Sequence, residues 1–222
     1  MSVWVVIPLK SPQSAKSRLS SVLDGRQRLR LFYYLAKRVI EAAMNTPSVD
    51  AVTVATASDA VAAFATRLGA ECLRLDGDHG TAAACSAALN SRRLPPRERV
   101  LFLPGDLPLV SSNALTQLVA LSDLRPLVAI AGDRRKHGTN ALLCSPGNTI
   151  PLCFGKDSFA KHLSAARRLG ISTRIIDSPC LDLDIDEAVD LQEWQQRLVA
   201  DGQPIDVELQ DLFAVHDVAF SQ

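Results

Sequence analysis

VWVVIPLKSPQSAKSRLS, residues 3–20, contains the run that decides the fold. Val3 to Ile7 is five apolar residues without polar alternation, closed by Pro8, and such a run predicts a strand buried on both faces, as in a parallel sheet covered by helices. Lys10, Lys16 and Arg18 follow at once. Open α/β sheets bind ligands in loops at the carboxyl ends of their strands. Apolar residues recur near helical spacing from Leu19 to Ala43, so the three cations precede or open a helix, a place that favours anions. From spacing alone they either meet an anion or solvate a surface loop. Neither GxxxxGK[ST] nor GxGxxG is present, so no P-loop or dinucleotide fingerprint is offered.

Outward from this stretch, a strand at 51–55 precedes a helix at 60–68 that Ser58 and Asp59 cap and Gly69 ends. Residues 71–75 predict a short strand, 76–80 a turn, and 81–90 an alanine-rich helix. The next buried strand, 100–103, runs into Pro104-Gly105-Asp106-Leu107-Pro108, and Ser111 to Asn113 cap a helix at 114–121. Residues 127–131, 139–143 and 173–176 predict further strands, with a helix at 158–169 between the last two and another at 187–199. Alternating strands and helices predict right-handed parallel connections. The expectation is a single-domain three-layer α/β/α protein with a mostly parallel Rossmann-like sheet over residues 1–199, followed by an acidic extension, 200–222.

The chain has 222 residues, 47% of them hydrophobic, enough for one sizeable core. Lys plus Arg equals Asp plus Glu at 24 each, which argues against binding nucleic acid or a membrane surface by bulk charge. Five acids and no Lys or Arg lie beyond residue 197, so the remainder is mildly basic, as suits a binder of phosphorylated metabolites. No stretch has the roughly 20 apolar residues of a membrane span and no secretory signal pattern opens the chain, which points to the cytoplasm. Five scattered cysteines without CxxC spacing argue against a disulfide framework or a zinc site. Cys85 alone follows a candidate ligand loop.

Two acidic features can carry chemistry. Asp106 stands directly beyond a buried strand, a place also taken by turn and capping residues. In Leu181-Asp182-Leu183-Asp184-Ile185-Asp186 three acids recur with period two, and a strand would aim all three to one side. Like charges so placed repel unless a cation compensates. Oxygen ligands at a strand edge suit Mg²⁺, which takes one or two carboxylates together with phosphates and water. A solvent-facing edge strand using charge against aggregation is the alternative.

Six motifs occur in order: Ile7-Pro8-Leu9-Lys10, Ser14-Ala15-Lys16-Ser17-Arg18-Leu19, Gly105-Asp106-Leu107-Pro108, His137-Gly138-Thr139-Asn140-Ala141, Phe154-Gly155-Lys156-Asp157-Ser158-Phe159 and Leu183-Asp184-Ile185-Asp186-Glu187. Together, over residues 3 to about 195, the sequence resembles the phospholactate guanylyltransferase family, of the MobA-like nucleotidyltransferase superfamily. The resemblance implies transfer of GMP from GTP to a small phosphorylated carboxylic acid, 2-phospho-L-lactate, phosphoenolpyruvate or 3-phospho-D-glycerate. Pyrophosphate is released, and the product serves synthesis of the deazaflavin coenzyme F420. It implies nucleotide binding by Lys10, Lys16, Arg18 and Gly80, catalysis by Lys16, Arg18 and Asp106, and a Mg²⁺ site of Asp106, Asp184 and Asp186. Thr139, Gly155 and Ser158 would hold the acceptor through a hydroxyl and main-chain amides. His137 and His162, inside or near the acceptor motifs, are either phosphate ligands or capping and surface residues.

One departure bears on base or acceptor selection: Gly80-Thr81-Ala82 stands where the family usually shows Gly-Leu-Asn. A MobA-like enzyme for another acceptor would carry a glycine-rich basic loop, and residues 8–19 contain no glycine. A non-catalytic nucleotide-binding regulatory module would have no use for the acids at 182–186. The extension at 200–222 is acidic yet carries Ile205, Val207, Leu209, Leu212, Phe213, Val215 and Phe220, too apolar for a free tail. It is expected to cover its own basic domain or a second copy in a homodimer.

Overall fold

Val3 to Pro8 forms strand β1, and every residue but the terminal proline is buried. In this computed structural model, which describes residues 3–13, 16–91, 99–121, 126–204, 206, 209, 210 and 212, β1 lies between two parallel neighbours. They are β2 (Val49–Thr56) and β4 (Arg99–Phe102), and β3 (Glu71–Arg74) pairs with the far side of β2. Beyond β4 comes β6 (Thr139–Ser145), antiparallel to it, then β5 (Leu127–Gly132) and β7 (Ser172–Ile175). The sheet order is β3-β2-β1-β4-β6-β5-β7. Only β6 is reversed, so the expected mostly parallel sheet is present. The reversal matters for function, because it brings the first residues of β6, Thr139 and Asn140, to the edge where the other strands end.

Alternation within the apolar runs fills both faces. Val3, Val5 and Ile7 pack with α1 (Gly25–Met44), α2 (Asp59–Arg67) and α4 (Ser112–Ala120). Val6, Phe102, Ile130 and Leu142 turn the other way, toward Cys85 and Ala88 of α3 (Thr81–Asn90) and Phe159, Ala165 and Ala166 of α5 (Ser158–Arg168). Three layers follow from residues of alternate parity. Cys85 therefore belongs to the core; burial pushes its thiol well above the ordinary range.

A third cluster covers the outer side of α1. Leu31 and Leu35 pack there with Leu19, Leu183, Ile185, and Leu191, Trp194 and Leu198 of α6 (Ala188–Ala200). Leu209 and Leu212 of the acidic extension bury in the same cluster, on the chain's own helices. The extension's Ile205, Val207, Phe213, Val215 and Phe220 lie outside the described residues. No described helix is long and apolar enough to cross a membrane.

Two elements differ from expectation. The segment expected to be one helix from Leu19 onward is a 3-10 turn, Ser17–Ser21, and then α1, which Asp24 caps by accepting the Gln27 amide at 2.8 Å. Residues 181–186 are not a sheet strand. Their alternation survives, with Leu181 buried in the cluster of Val3, Val5 and Ile7 and with Leu183 and Ile185 buried in the third cluster, because the segment crosses packed helices and not a strand edge.

Candidate active site

The carboxyl edge of β1 and β4 sets the centre of the site. Leu9 continues the ladder by donating to the Ala55 carbonyl, and Leu103 donates to Val6. The loops beyond then approach so closely that a Cβ on Gly105 would lie 2.1 Å from Leu9 Cδ2. Asp106, one residue on, is thereby fixed at the sheet edge. Its carbonyl accepts the Ile185 amide at 3.2 Å, which ties the acidic segment to the β4 loop.

Lys16 closes this arrangement. It adopts a left-handed backbone, φ 57°, and its ammonium donates to Asp106 Oδ2 at 2.6 Å, to Asp186 Oδ1 at 3.3 Å and to the Ile185 carbonyl. The side chain is only 7% exposed. Burial alone would lower its pKa, but the Asp106 and Asp186 carboxylates outweigh burial and raise it, so the ammonium stays charged. Asp184 is in the opposite situation. Burial first, then the negative charges of Asp106 and Asp186, push its carboxyl up to about 7, although Asn140 Nδ2 donates to it at 3.3 Å. Asp182 is drawn away to Arg197 at 2.7 Å.

Among the described residues, three clefts run along this edge. The first, about 290 Å³, is walled by Pro8, Leu9, Lys10, Ala55, Leu75, His79, Gly80 and Thr81, among others. The second, about 320 Å³, shares Pro8, Leu9, Lys10 and Thr81 with it and adds Lys16, Gly105, Asp106 and Asp186. The third, about 150 Å³, meets the second at Asp186 and is lined by Arg18, Arg134, Arg135, His137 and Asp184, with Asp133, Glu187 and Asp190. Arg18, 70% exposed, faces Glu187 at 3.5 Å.

The edge thus gathers Lys10, Lys16, Arg18, Gly80, Asp106, Asp184 and Asp186. Thr139 and Ser158 are close by but buried, their hydroxyls 3.1 Å apart. Gly155 lines none of the three clefts. Its φ of 117°, a backbone that L side chains rarely adopt, turns the chain into α5, and its carbonyl accepts the Ser158 amide at 3.1 Å.

Four participants escaped the sequence reading. Asn140 holds Asp184, and its signal was a lone amide inside an apolar strand. Asp190 accepts the amides of Asp186 and Glu187 at 3.0 and 2.7 Å, while Arg134 anchors Asp190 at 2.6 Å. His79, read only as a turn residue, lines the first cleft.

The donors fit a hard divalent cation. Asp106 Oδ1 is buried without a hydrogen-bond partner, and the neighbouring acids offer only oxygen. Among the described residues no three His, Cys, Asp or Glu side chains converge into a complete metal cage. Mg²⁺ takes one or two carboxylates beside waters and substrate phosphates, a set that Asp106 with one neighbouring acid would supply.

Comparison with known proteins places this geometry. Over residues 3–197 the chain matches the family described as guanylyl transferase CofC like. It is 36% identical to a phosphoenolpyruvate guanylyltransferase of Rubrobacter xylanophilus, over 91% of this chain and 96% of that one. Its identity to the enzyme of the same name in Chloroflexus aggregans is 34%, over 86% and 96%. Among solved structures, a nucleotidyl transferase from Methanothermobacter superposes with a TM-score of 0.67 at 15% identity, covering 90% of this chain and 99% of that one. A 4-diphosphocytidyl-2C-methyl-D-erythritol synthase from Anaerococcus prevotii gives 0.60 at 10% identity, over 89% and 96%. The structures share the fold, and the sequence match, running through every element from β1 to α6, makes this chain a member of the CofC-like guanylyl transferase family.

Proposed function

We propose that the chain transfers GMP from GTP to the phosphate of phosphoenolpyruvate or a closely similar phosphorylated three-carbon acid, releasing pyrophosphate, as a step toward the deazaflavin coenzyme F420. The observation that carries this is the junction of the clefts. One ammonium, Lys16, and three carboxylates, Asp106, Asp184 and Asp186, stand where a nucleotide-sized groove meets a pocket bearing three arginines and a histidine. The relatives' names supply phosphoenolpyruvate as the first acceptor to try.

In this reading the base and ribose occupy the first cleft and the triphosphate lies across the second, against Lys10 and Lys16. Asp106 with Asp184 or Asp186 would hold Mg²⁺, which when bound neutralises phosphate charge and orients the triphosphate. An oxygen of the acceptor phosphate attacks the α-phosphorus, forming one P–O bond as the bond to the β-phosphate bridge breaks. That phosphate is already ionised near neutral pH, so no general base is needed. The difficulty is bringing two anions together in line, which calls for charge cancellation and positioning. Lys10, Lys16 and Arg18 supply the charge, and the Asp106–Ile185 hydrogen bond holds the two acidic loops in register.

The test is pyrophosphate release from each nucleoside triphosphate with phosphoenolpyruvate, 2-phospho-L-lactate and 3-phospho-D-glycerate. Release that needs both GTP and one of these acids, fastest with phosphoenolpyruvate, is expected. Equal release from CTP or ATP, or none with any of the acids, would refute the proposal.

A further inference from the structure

The catalytic scheme leaves one buried histidine without a task. His162 on α5 is fully enclosed, yet both ring nitrogens are engaged. Nε2 lies 2.8 Å from the Cys153 amide and Nδ1 lies 3.1 Å from Thr139 Oγ1. Thr139 Oγ1 is in turn 3.1 Å from Ser158 Oγ. The ring packs edge-on against Phe154, centroids 4.9 Å apart.

Proton counting decides what this chain of groups can do. A backbone N–H can only donate, so Nε2 must accept and carries no proton. A neutral ring then has its proton on Nδ1, and Nδ1 donates to Thr139. Burial favours the neutral ring, pushing the imidazolium down to about 4. Two hydroxyls own two protons, and their mutual hydrogen bond uses one. Because the imidazole donates into the pair, the second proton is left to be donated outward. With the opposite tautomer Thr139 would donate to Nδ1 and Ser158 to Thr139, leaving nothing for a ligand. The Cys153 amide thus sets the polarity of the hydroxyl pair through the ring.

Thr139 stands between His137, which lines the third cleft, and Asn140, whose amide holds Asp184 there, so the buried pair lies next to that cleft although neither Thr139 nor Ser158 lines it. We propose that His162 is a positioning residue of the acceptor pocket: its backbone-fixed tautomer makes the Thr139–Ser158 pair an outward hydrogen-bond donor to the anionic acceptor. This rests on the guanylyl transfer proposed above and adds the group that orients the acceptor's contact.

The first measurement is a long-range proton–nitrogen correlation spectrum of the whole protein with labelled histidine. A protonated Nδ1 and bare Nε2 for His162 are expected; the reverse tautomer, or an imidazolium at neutral pH, would overturn the inference. The second compares variants in pyrophosphate release and in GTP binding without acceptor. His162→Phe keeps a ring against Phe154 but can neither accept from Cys153 nor donate to Thr139, so kcat/KM for the acceptor should fall roughly 10-fold with GTP binding unchanged. His162→Gln carries one acceptor and one donor and should restore acceptor use to within about 3-fold of wild type, as expected when a neutral hydrogen bond is rebuilt in altered geometry. Unchanged acceptor use in folded His162→Phe, equal losses in GTP binding and acceptor use, or no rescue by His162→Gln would each refute it. Should His162→Phe not fold, the tautomer and the glutamine variant decide. Failure of the wild-type enzyme with every acid would instead defeat the guanylyl transfer itself, and this inference with it.

Discussion

On the β3-β2-β1 side the cleft sets the apolar side chains of Pro8, Leu9, Ala55, Ala57, Leu75 and Ala84 beside His79, one cation, Lys10, one acid, Asp78, and small polar residues. On the β6-β5 side it is walled by Arg18, Arg134, Arg135, His137 and the acids Asp133, Asp184, Asp186, Glu187 and Asp190. In the proposed reading the first side selects by shape. The second works by charge, and its charges join elements far apart in the chain: Arg134 on the β5–β6 hairpin anchors Asp190 on α6, and Asp190 holds the Asp186 amide. In the proposed reading this division suits a flat neutral base and a small acid bearing both phosphate and carboxylate charge, since a base offers stacking area and a three-carbon phosphate offers little except charge.

The junction between the two sides is where substitution should do most damage. Asp106→Asn keeps the shape of the side chain and removes the charge that Lys16 and a cation would share. Turnover should fall by on the order of 10²- to 10³-fold, comparable with loss of a preorganised electrostatic group in other enzymes. Thermal unfolding should stay within a few degrees of wild type. Full pyrophosphate release from a folded Asp106→Asn protein would remove Asp106 from the chemistry.

Next in size is a pair that tests whether the two sides are separable. Thr139→Val deletes the outward hydroxyl and should lower kcat/KM for the acceptor by roughly 10- to 150-fold, one hydrogen bond to a charged group. GTP affinity measured alone should hardly change. Lys10→Ala should do the reverse, weakening GTP roughly 3- to 10-fold, an effect that shrinks as salt rises because Lys10 is exposed. Parallel losses in both titrations for either variant would mean that the cleft is one site without division.

The same contrast governs what the sequence discloses. The parallel half is legible because its central strands β1 and β4 are each built on one apolar run, helices fill the crossovers, and parity within Val3 to Ile7 already assigns side chains to the two faces. The bounds expected for α3, residues 81–90, coincide with the helix. The charged half is less legible. Thr139 to Ser145 reads as apolar, like any other strand, and nothing in its composition reveals that it runs backward. The clue lay in the connection: residues 133–138 are too few for a parallel crossover, which needs about a dozen. Asp106, Asp184 and Asp186 could be singled out because acids beside buried apolar residues are conspicuous. Arg134 and Asp190 could not, since each is an ordinary charged residue until the hairpin and α6 meet. Similarly, nothing local to His162 distinguishes a surface histidine from one that Cys153 and Thr139 enclose.

On the shape-determined side the sharpest probe is steric. Gly105→Ala would place a methyl within 2.1 Å of Leu9 Cδ2, and overpacking of this kind costs about 1–3 kcal/mol. Leu9→Ala removes the colliding group. The double variant should therefore be more stable than the sum of the singles implies, by at least about 0.5 kcal/mol of coupling in a denaturant cycle. Strict additivity would show that the β1 and β4 loops adjust independently, and the base side would then owe less to close fit than the contrast requires.

The smallest effect concerns stability on the charged side, and its sign is opposite to the others. Asp184 is a carboxylate that the fold disfavours: burial and the charges of Asp106 and Asp186 hold its pKa at about 7, against 3.8 for the free side chain. Between those two pH values the folded chain binds a proton that the unfolded chain has released. Stability of the metal-free protein therefore falls as pH rises from about 4 to 7, and the whole penalty is present above 7. Asp184→Asn carries no such charge, while its side-chain carbonyl can still accept from Asn140. In chelator at pH 8 the variant should be more stable than wild type by on the order of 1 kcal/mol, the net left after Lys16 loses a favourable neighbour. At about pH 3, below both values, the two proteins should unfold alike, because Asp184 is then largely protonated in both states of the wild type. A variant that is less stable than wild type at pH 8, or whose advantage does not vanish in acid, would show that Lys16 already compensates all three carboxylates.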